Sequence, residues 1–294
     1  MTRVIIDTDP GIDDAIAILF ALNHAELDVL AMTTVAGNIG LDRTTWNAGR
    51  LAAFMDRDVA VHPGADGPLQ GNAINEERIH GDDGLGGVAF PEPRGPASDI
   101  GATEAMADLL SRHPDQSITV MTLGPLTNLA RLITQDPTAA HRIGAVVSMG
   151  GAIHEPGNIG QKAEFNIVWD AHAADIVFRA GLDLTLVPLD TTRKFRADRA
   201  YLSALRRTGQ KAAIASADLI AAYQDQKNMS GHSRPLHDPC VPLLVTAPTV
   251  FDVQPMDVSV DTDTGAIRPG DCRVKVSMGL DAEAARQILL SGLS

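Results

Sequence analysis

Short β-branched apolar runs alternate along the chain with longer segments whose apolar positions recur at helical spacing. That alternation predicts an α/β fold in one domain, with a mostly parallel central sheet flanked by helices on both faces. Strands are predicted at 3–8, 27–35, 57–61, 117–123, 143–149 and 183–189, with two more near 255–261 and 272–278. Helices are predicted at 13–24, 42–55, 102–112, 125–135, 170–180, 197–208, 212–226 and 239–247, and a further helix closes the chain. The pattern holds no internal repeat and no low-complexity tract.

In open α/β sheets a ligand sits beyond the carboxyl ends of the strands, so polar residues ending several strands are expected to converge there. Those ends are unusually polar here: Asp7-Thr-Asp9, Ala36-Gly-Asn38, Thr122-Leu-Gly124, Met149-Gly-Gly151 and Asp190-Thr-Thr192. The first is the richest. Asp7 and Asp9 end a strand, Pro10-Gly11 turns the chain, and Asp13 and Asp14 fall in the first turn of the next helix. One or two Asp at such a place would act as helix caps. A run of four exceeds capping, and like charges so close repel unless a cation neutralises them. The run has oxygen donors only, with no Cys or His, which selects a hard ion such as Ca²⁺ or Mg²⁺. It lacks the glycine and closing glutamate of an EF-hand loop, which favours a scaffolded catalytic ion over a calcium sensor.

Composition narrows the partners. The chain of 294 residues has 45% hydrophobic content, enough for one large core, and its 24 Lys plus Arg against 37 Asp plus Glu give a formal charge of −13. That balance disfavours nucleic acid and anionic membranes. No apolar stretch approaches a membrane span and the first residues show no signal-peptide pattern, so a cytoplasmic location is expected. Cys240 and Cys272 lack metal-site spacing and read as ordinary buried thiols.

Three other segments carry candidate chemistry. Residues 62–101 are rich in Gly and Pro and contain His80-Gly-Asp-Asp-Gly-Leu-Gly-Gly87, the pattern of an active-site loop acting as a lid. Pro235-Leu-His-Asp-Pro-Cys240 places His237 and Asp238 at a helix start. Ala163-Glu-Phe-Asn166 offers a carboxylate and an amide two residues apart, suited to sugar hydroxyls, although a surface strand would look the same. Arg193 and Lys194, after Asp190-Thr-Thr192, read either as a site-facing pair or as a salt-bridged surface patch, and the patch is favoured.

Taken together, these pieces resemble the inosine-uridine type nucleoside hydrolase family, whose DxDPGxDDA signature stands here as Asp7-Thr-Asp9-Pro-Gly-Ile-Asp13-Asp14-Ala15. Thr33-Thr-Val-Ala-Gly-Asn38, Ile79-His-Gly81, Leu123-Gly-Pro-Leu-Thr-Asn128, Met149-Gly-Gly151, Ala163-Glu-Phe-Asn166 and His237-Asp-Pro239 are similar to further family blocks, in family order. The resemblance implies a Rossmann-like nucleoside hydrolase fold and Ca²⁺-dependent hydrolysis of ribonucleosides to ribose and free base. It implies Asp9, Asp14 and Asp238 as Ca²⁺ ligands by side chain and Leu123 by its carbonyl. Asp13 and Asn166 would then hold the ribose 2′ and 3′ hydroxyls, with Asn38 nearby, and Asn158 and Glu164 the 5′ hydroxyl. Met149 and Phe165 complete the expected substrate residues. A homodimer or homotetramer is also implied.

Cleaving a glycosidic C–N bond produces an oxocarbenium-like sugar and sends electrons into the base. Asp9 is the expected general base on a metal-bound water. His237 is the expected acid for the leaving base, with an ordinary pKa that suits neutral pH; His80 is the second choice and His232 the third. Between Tyr223 and Arg234 the segment lacks the aromatic residues that the family uses to stack on the base, so base preference stays open. Two other readings compete. A Mg²⁺-dependent phosphohydrolase would share only the first motif and would use Asp7 as nucleophile. A non-catalytic nucleoside- or calcium-binding protein would not need both Asp9 and His237.

Overall fold

The computed structural model describes residues 1–74, 76–224 and 233–294. Among them, nine strands form one sheet: β1 (Thr2–Thr8), β2 (Leu27–Thr34), β3 (Ala60–Pro63), β4 (Ile118–Thr122), β5 (Ala145–Met149), β6 (Leu184–Val187), β7 (Phe251–Val260), β8 (Ile267–Pro269) and β9 (Cys272–Leu280). The spatial order is β3-β2-β1-β4-β5-β6-β9-β7-β8. All pairs from β3 to β9 are parallel, and β7 pairs antiparallel with both β9 and β8. Strand order reverses between β1 and β4, which places a crevice at their carboxyl ends. Asp9 and Leu123 follow those two strands directly.

Burial explains why these residues form these elements. From Val4 onward β1 is buried throughout, as a central parallel strand covered on both faces must be. The helix Ile12–Asn23 is apolar nearly all round and buried from Ile12 to Leu22, packed between the sheet and the helix Lys211–Gln224. A second apolar layer, including Met106, Leu129, Val177 and Leu186, fills the other face.

The helix and strand pattern agrees with the expected one, with five informative differences. β3 begins at Ala60 because the preceding helix Leu41–Phe54 ends in a turn: Asp56 has φ +57° and the Arg57 amide bonds back to the Ala52 carbonyl. β6 stops at Val187 because Pro188 opens the short helix Leu189–Thr192. β7 starts at Phe251, earlier than the pattern placed it, and β8 was not foreseen because three residues are too few to show a period. Residues 163–166 do not form a surface strand. They lead into the buried helix Phe165–Trp169, capped by the Glu164 carboxylate through the amides of Asn166 and Ile167.

The segment 62–101 packs against the core. Leu85 is fully buried, Phe90 sets its ring edge-on to Phe54, and the Trp169 indole N–H donates to the Ile74 carbonyl. Within it the short helix Glu77–His80 carries His80 inward.

One buried side chain ties the crevice together. Asn128 donates to Asp7 Oδ1 at 2.8 Å and to the Thr34 carbonyl at 2.9 Å, and its Oδ1 accepts from the Ala65 amide at 2.8 Å. Removing it takes a partner from three buried polar groups, of which Asp7 Oδ1 keeps the Thr33 hydroxyl, and each buried group left unpaired costs about 1–3 kcal/mol. Asn128→Ala is therefore expected to lower unfolding free energy by at least about 2 kcal/mol in urea titrations. A change below about 0.5 kcal/mol would show that the link is dispensable.

Candidate functional site

The crevice gathers four buried carboxylates. Asp13, Asp14 and Asp238 each present an oxygen within 4.8 Å of the others, the one such group among the described residues. Asp9 stands beside them, fully buried. Each is placed by backbone. Asp14, in the first turn of Ile12–Asn23, accepts from the Gly11 amide at 3.1 Å and from the Thr8 hydroxyl at 2.6 Å. Asp9 Oδ2 accepts from the Asn38 amide at 2.7 Å. The Asn38 side chain donates to the Asp9 carbonyl and to Asp14 Oδ2. Asp13 Oδ2 accepts from the His237 amide at 3.3 Å, which links the first motif to the last. Gly37 and Gly124 make room for Asp9, since a Cβ at either would overlap its carboxylate.

The electrostatics are those of unneutralised negative charge. Burial, and then the charge of Asp14, push the Asp9 carboxyl well above its ordinary value. The same two causes take Asp13 to about 7. Burial, then Asp13, Asp14 and Asp9, raise Asp238. Asp9 Oδ1 is buried without a hydrogen-bond partner. Among the described residues no Lys or Arg forms an ion pair with these groups. An all-oxygen set with one open carboxylate oxygen fits a hard divalent cation.

Around the carboxylates the other expected residues converge on one cavity of about 100 Å³, lined by Asp13, Asn38, His80, Leu123, Met149, Asn158, Glu164, Phe165, Asn166, His237 and Asp238. Asn166 Nδ2 donates to the Leu123 carbonyl at 2.6 Å and sits near the Met149 carbonyl and sulfur. Glu164 accepts from the amides of Gly151, Asn166 and Ile167, and burial still raises its carboxyl. Asn158 Oδ1 accepts from the Phe165 amide at 2.9 Å. Ligand pockets are usually several times larger, about 300–1,000 Å³, so the cavity is narrow as it stands.

Two imidazoles flank the cavity. The Ile12 amide donates to His80 Nδ1 at 3.0 Å, which leaves the hydrogen on Nε2, and the ring stacks on Tyr223 with centroids 6.1 Å apart. Burial holds His80 at about 4 against the pull of Asp14. His237 Nδ1 lies 2.7 Å from the Thr192 hydroxyl. Burial, then Arg193 and Arg196, press His237 down to about 3. The expectation that its pKa suits neutral pH is therefore corrected: the ring is neutral and offers an N–H instead of an imidazolium. His232 lies outside the described residues.

Asp7 sits apart from the ion-facing oxygens, accepting from Thr33 at 2.6 Å and from Asn128. The basic pair after Thr192 is a surface patch as expected: Arg193 pairs with Glu155 at 3.0 Å and Lys194 donates to the Met278 carbonyl. The residues before it are not surface. Asp190 accepts from the amides of Ile153, His154 and Glu155, and Thr191 and Thr192 are fully buried. The strand ends Asp7-Thr-Asp9 and Asp190-Thr-Thr192 were expected to converge here, but with no role for Thr8 or Thr192, and Tyr223, which lines the cavity, was not among the expected site residues. Their strand-end and helix-end positions were the available signal. Cys240 and Cys272 are free, buried thiols, and among the described residues no helix is long and apolar enough to cross a membrane.

Comparison with known proteins was then informative. The family model described as inosine-uridine preferring nucleoside hydrolase matches residues 4–287. The non-specific ribonucleoside hydrolase RihC of Klebsiella pneumoniae is 37% identical over 287 residues, covering 98% of this chain and 92% of that protein. The pyrimidine-specific ribonucleoside hydrolase RihA of a Shewanella species is 37% identical over 265 residues, covering 89% of this chain and 83% of that protein. The solved plant nucleoside hydrolase PpNRh1 superposes with a TM-score of 0.91 at 32% identity, covering 99% of this chain and 98% of that one.

The carboxylate cluster has a measurable signature in the cation-free protein. Folded-state values above the ordinary carboxylate pKa give stability that is full below about 3.8 and is lost as pH rises through the folded values, about 7 for Asp13. Neutral His80 and His237 act in the opposite direction, but only below the ordinary histidine value of 6.5. Melting temperature in chelator is thus expected to fall from about pH 6.5 to about pH 8, and calcium is expected to restore it most at the upper end. A chelated protein that grows more stable across that window would contradict the assignment.

Proposed function

The chain belongs to the inosine-uridine preferring nucleoside hydrolase family, and on that footing we propose that its buried carboxylates hold Ca²⁺ at the crevice and hydrolyse ribonucleosides with a water nucleophile. Hydrolysis of the ribonucleoside N-glycosidic bond is the family's reaction class. The observation that carries the metal reading is the unpartnered Asp9 Oδ1 beside the Asp13, Asp14 and Asp238 cluster. Asp9, Asp14 and Asp238, with the Leu123 carbonyl, are the proposed ligands. Calcium suits the all-oxygen donors, because it accepts six to eight of them at flexible geometry. A cation bound there supplies Lewis acidity that lowers the pKa of a water and polarises ribose hydroxyls.

The remaining steps belong to side chains. Asp9 takes the proton of the attacking water, since one of its oxygens is anchored by the Asn38 amide and the other has no competing donor. Asp13 and Asn166 orient the 2′ and 3′ hydroxyls and Asn158 and Glu164 the 5′ hydroxyl, with Met149 and Phe165 against the sugar. As the C–N bond breaks, its electron pair moves into the base. His237 stabilises that charge by donating its N–H, with His80 as a second donor at the cavity wall. Segment 62–101 acts as the lid that closes over bound nucleoside. Relatives of equal identity bear names with different base preferences, so the reading extends to ribonucleosides as a class.

The phosphohydrolase alternative needs Asp7 as nucleophile, yet Asp7 lies outside both the Asp13, Asp14 and Asp238 group and the cavity lining, with its Oδ1 held by Thr33 and Asn128. Calcium-loaded protein is expected to release free ribose from one or more of inosine, adenosine, guanosine, uridine and cytidine. Asp9→Ala is expected to lower kcat by at least about 10²-fold, whereas Asp13→Ala mainly raises KM through lost ribose contacts. If all five nucleosides stay intact and chelation changes nothing, the proposal is wrong.

A further inference from the structure

Asp190-Thr-Thr192 is one of the polar strand ends expected to converge on the ligand, and within it Thr192 is fully buried and its hydroxyl meets His237 Nδ1 at 2.7 Å. It is delivered there by the short helix Leu189–Thr192 that follows β6. Among the described residues the Thr192 hydroxyl has this ring nitrogen as its one hydrogen-bond partner. A threonine hydroxyl carries a single hydrogen and can also accept, whereas a neutral imidazole has one protonated and one bare nitrogen. If Nδ1 carried the ring's hydrogen, Nδ1 would donate to Oγ1 and the buried hydroxyl hydrogen would have no acceptor. If Nδ1 is bare, the hydroxyl donates to it and both groups are satisfied. Leaving a buried donor unpaired costs more than a hydrogen bond gains, so the second arrangement wins.

We propose that Thr192 is a positioning residue that fixes His237 in its Nε2–H tautomer, so that the ring presents a donor, and not a lone pair, to the departing nucleobase. The proposal rests on His237 being the leaving-group donor. His237 lines the cavity, and with Nδ1 taken by Thr192, Nε2 is the nitrogen left for a ligand. The opposite tautomer would aim a lone pair at a base that is gaining negative charge and would repel it. The same logic orders the second imidazole, where the Ile12 amide occupies His80 Nδ1. The two rings thus reach one orientation by different means. A backbone amide can only donate, but a hydroxyl can do either, which makes Thr192 the element that substitution can test.

The test compares substrates whose leaving groups do and do not need a hydrogen-bond donor. Calcium-loaded wild type, Thr192→Val, Thr192→Ser and His237→Ala are assayed on the best nucleoside and on 4-nitrophenyl β-D-ribofuranoside, whose nitrophenolate departs unaided. Thr192→Val is expected to lower kcat on the nucleoside about 10- to 100-fold with KM little changed, and to stay within about twofold on the nitrophenyl riboside. Thr192→Ser keeps the hydroxyl and is expected to restore nucleoside turnover. Long-range ¹H–¹⁵N spectra should show His237 protonated on Nε2 in wild type and Thr192→Ser, and a mixture of tautomers in Thr192→Val. Equal losses on both substrates, or a wild-type ring protonated on Nδ1, would overturn the proposal. Nucleoside turnover intact in Thr192→Val but lost in His237→Ala would overturn it while sparing the His237 reading. If His237→Ala loses nothing on nucleosides relative to the nitrophenyl riboside, the donor reading fails first and the tautomer proposal with it.

Discussion

Four carboxylates buried together, with no Lys or Arg paired to them among the described residues, are the constraint around which the rest of this fold is arranged. Isolated buried charge is costly, and like charges a few ångströms apart add to the cost, so protons or a cation must neutralise them. The sheet's order reversal supplies the place, because β1 and β4 stay paired to their ends while the helices that follow them pack on opposite faces of the sheet, leaving a crevice between. Local chemistry supplies the geometry. Thr8 and the Gly11 and Asn38 amides hold Asp14 and Asp9, and glycines at 37 and 124 leave Asp9 the space it occupies. Asn128 then binds the crevice to its supports, joining Asp7, β2 and the loop after β3.

Asp13 joins two segments: its oxygen lies within the acidic group, and it accepts the His237 amide. The site is thereby tied to both ends of the chain, since the first acidic motif and the final His-Asp-Pro motif meet through that bond. Glu164 and Asn166 complete the wall from a third segment, where one helix cap presents a carboxylate and an amide together.

Much of this was legible in the sequence, for identifiable reasons. Long strands and helices have periods that survive without tertiary knowledge, and the acidic run violates the statistics of capping so strongly that a cation was inferred from residue type alone. The convergence of Asn38, Leu123, Met149, Asn166 and Asp238 followed from their places at strand and helix ends, and one cavity contains them all. Four things were not legible. The third strand's start depended on a helix-ending turn at Asp56, and β8 was too short to show alternation. The contact of Thr192 with His237 joins residues 45 apart in the chain, and no local pattern signals which side chain a strand-end hydroxyl will meet. The neutral state of His237 is a consequence of burial and of arginines at 193 and 196, which no local motif encodes.

The central claim is that one hard cation replaces protons in this acidic crevice. Calorimetric titration with calcium in buffers of differing ionisation enthalpy tests it directly, because it counts ions bound and protons released in one experiment. The account predicts one calcium per chain, with more protons released near pH 6 than near pH 8, since Asp13 titrates at about 7 and Asp9 and Asp238 are raised as well. Calcium that fails to bind, or binds without releasing protons near pH 6, would contradict it.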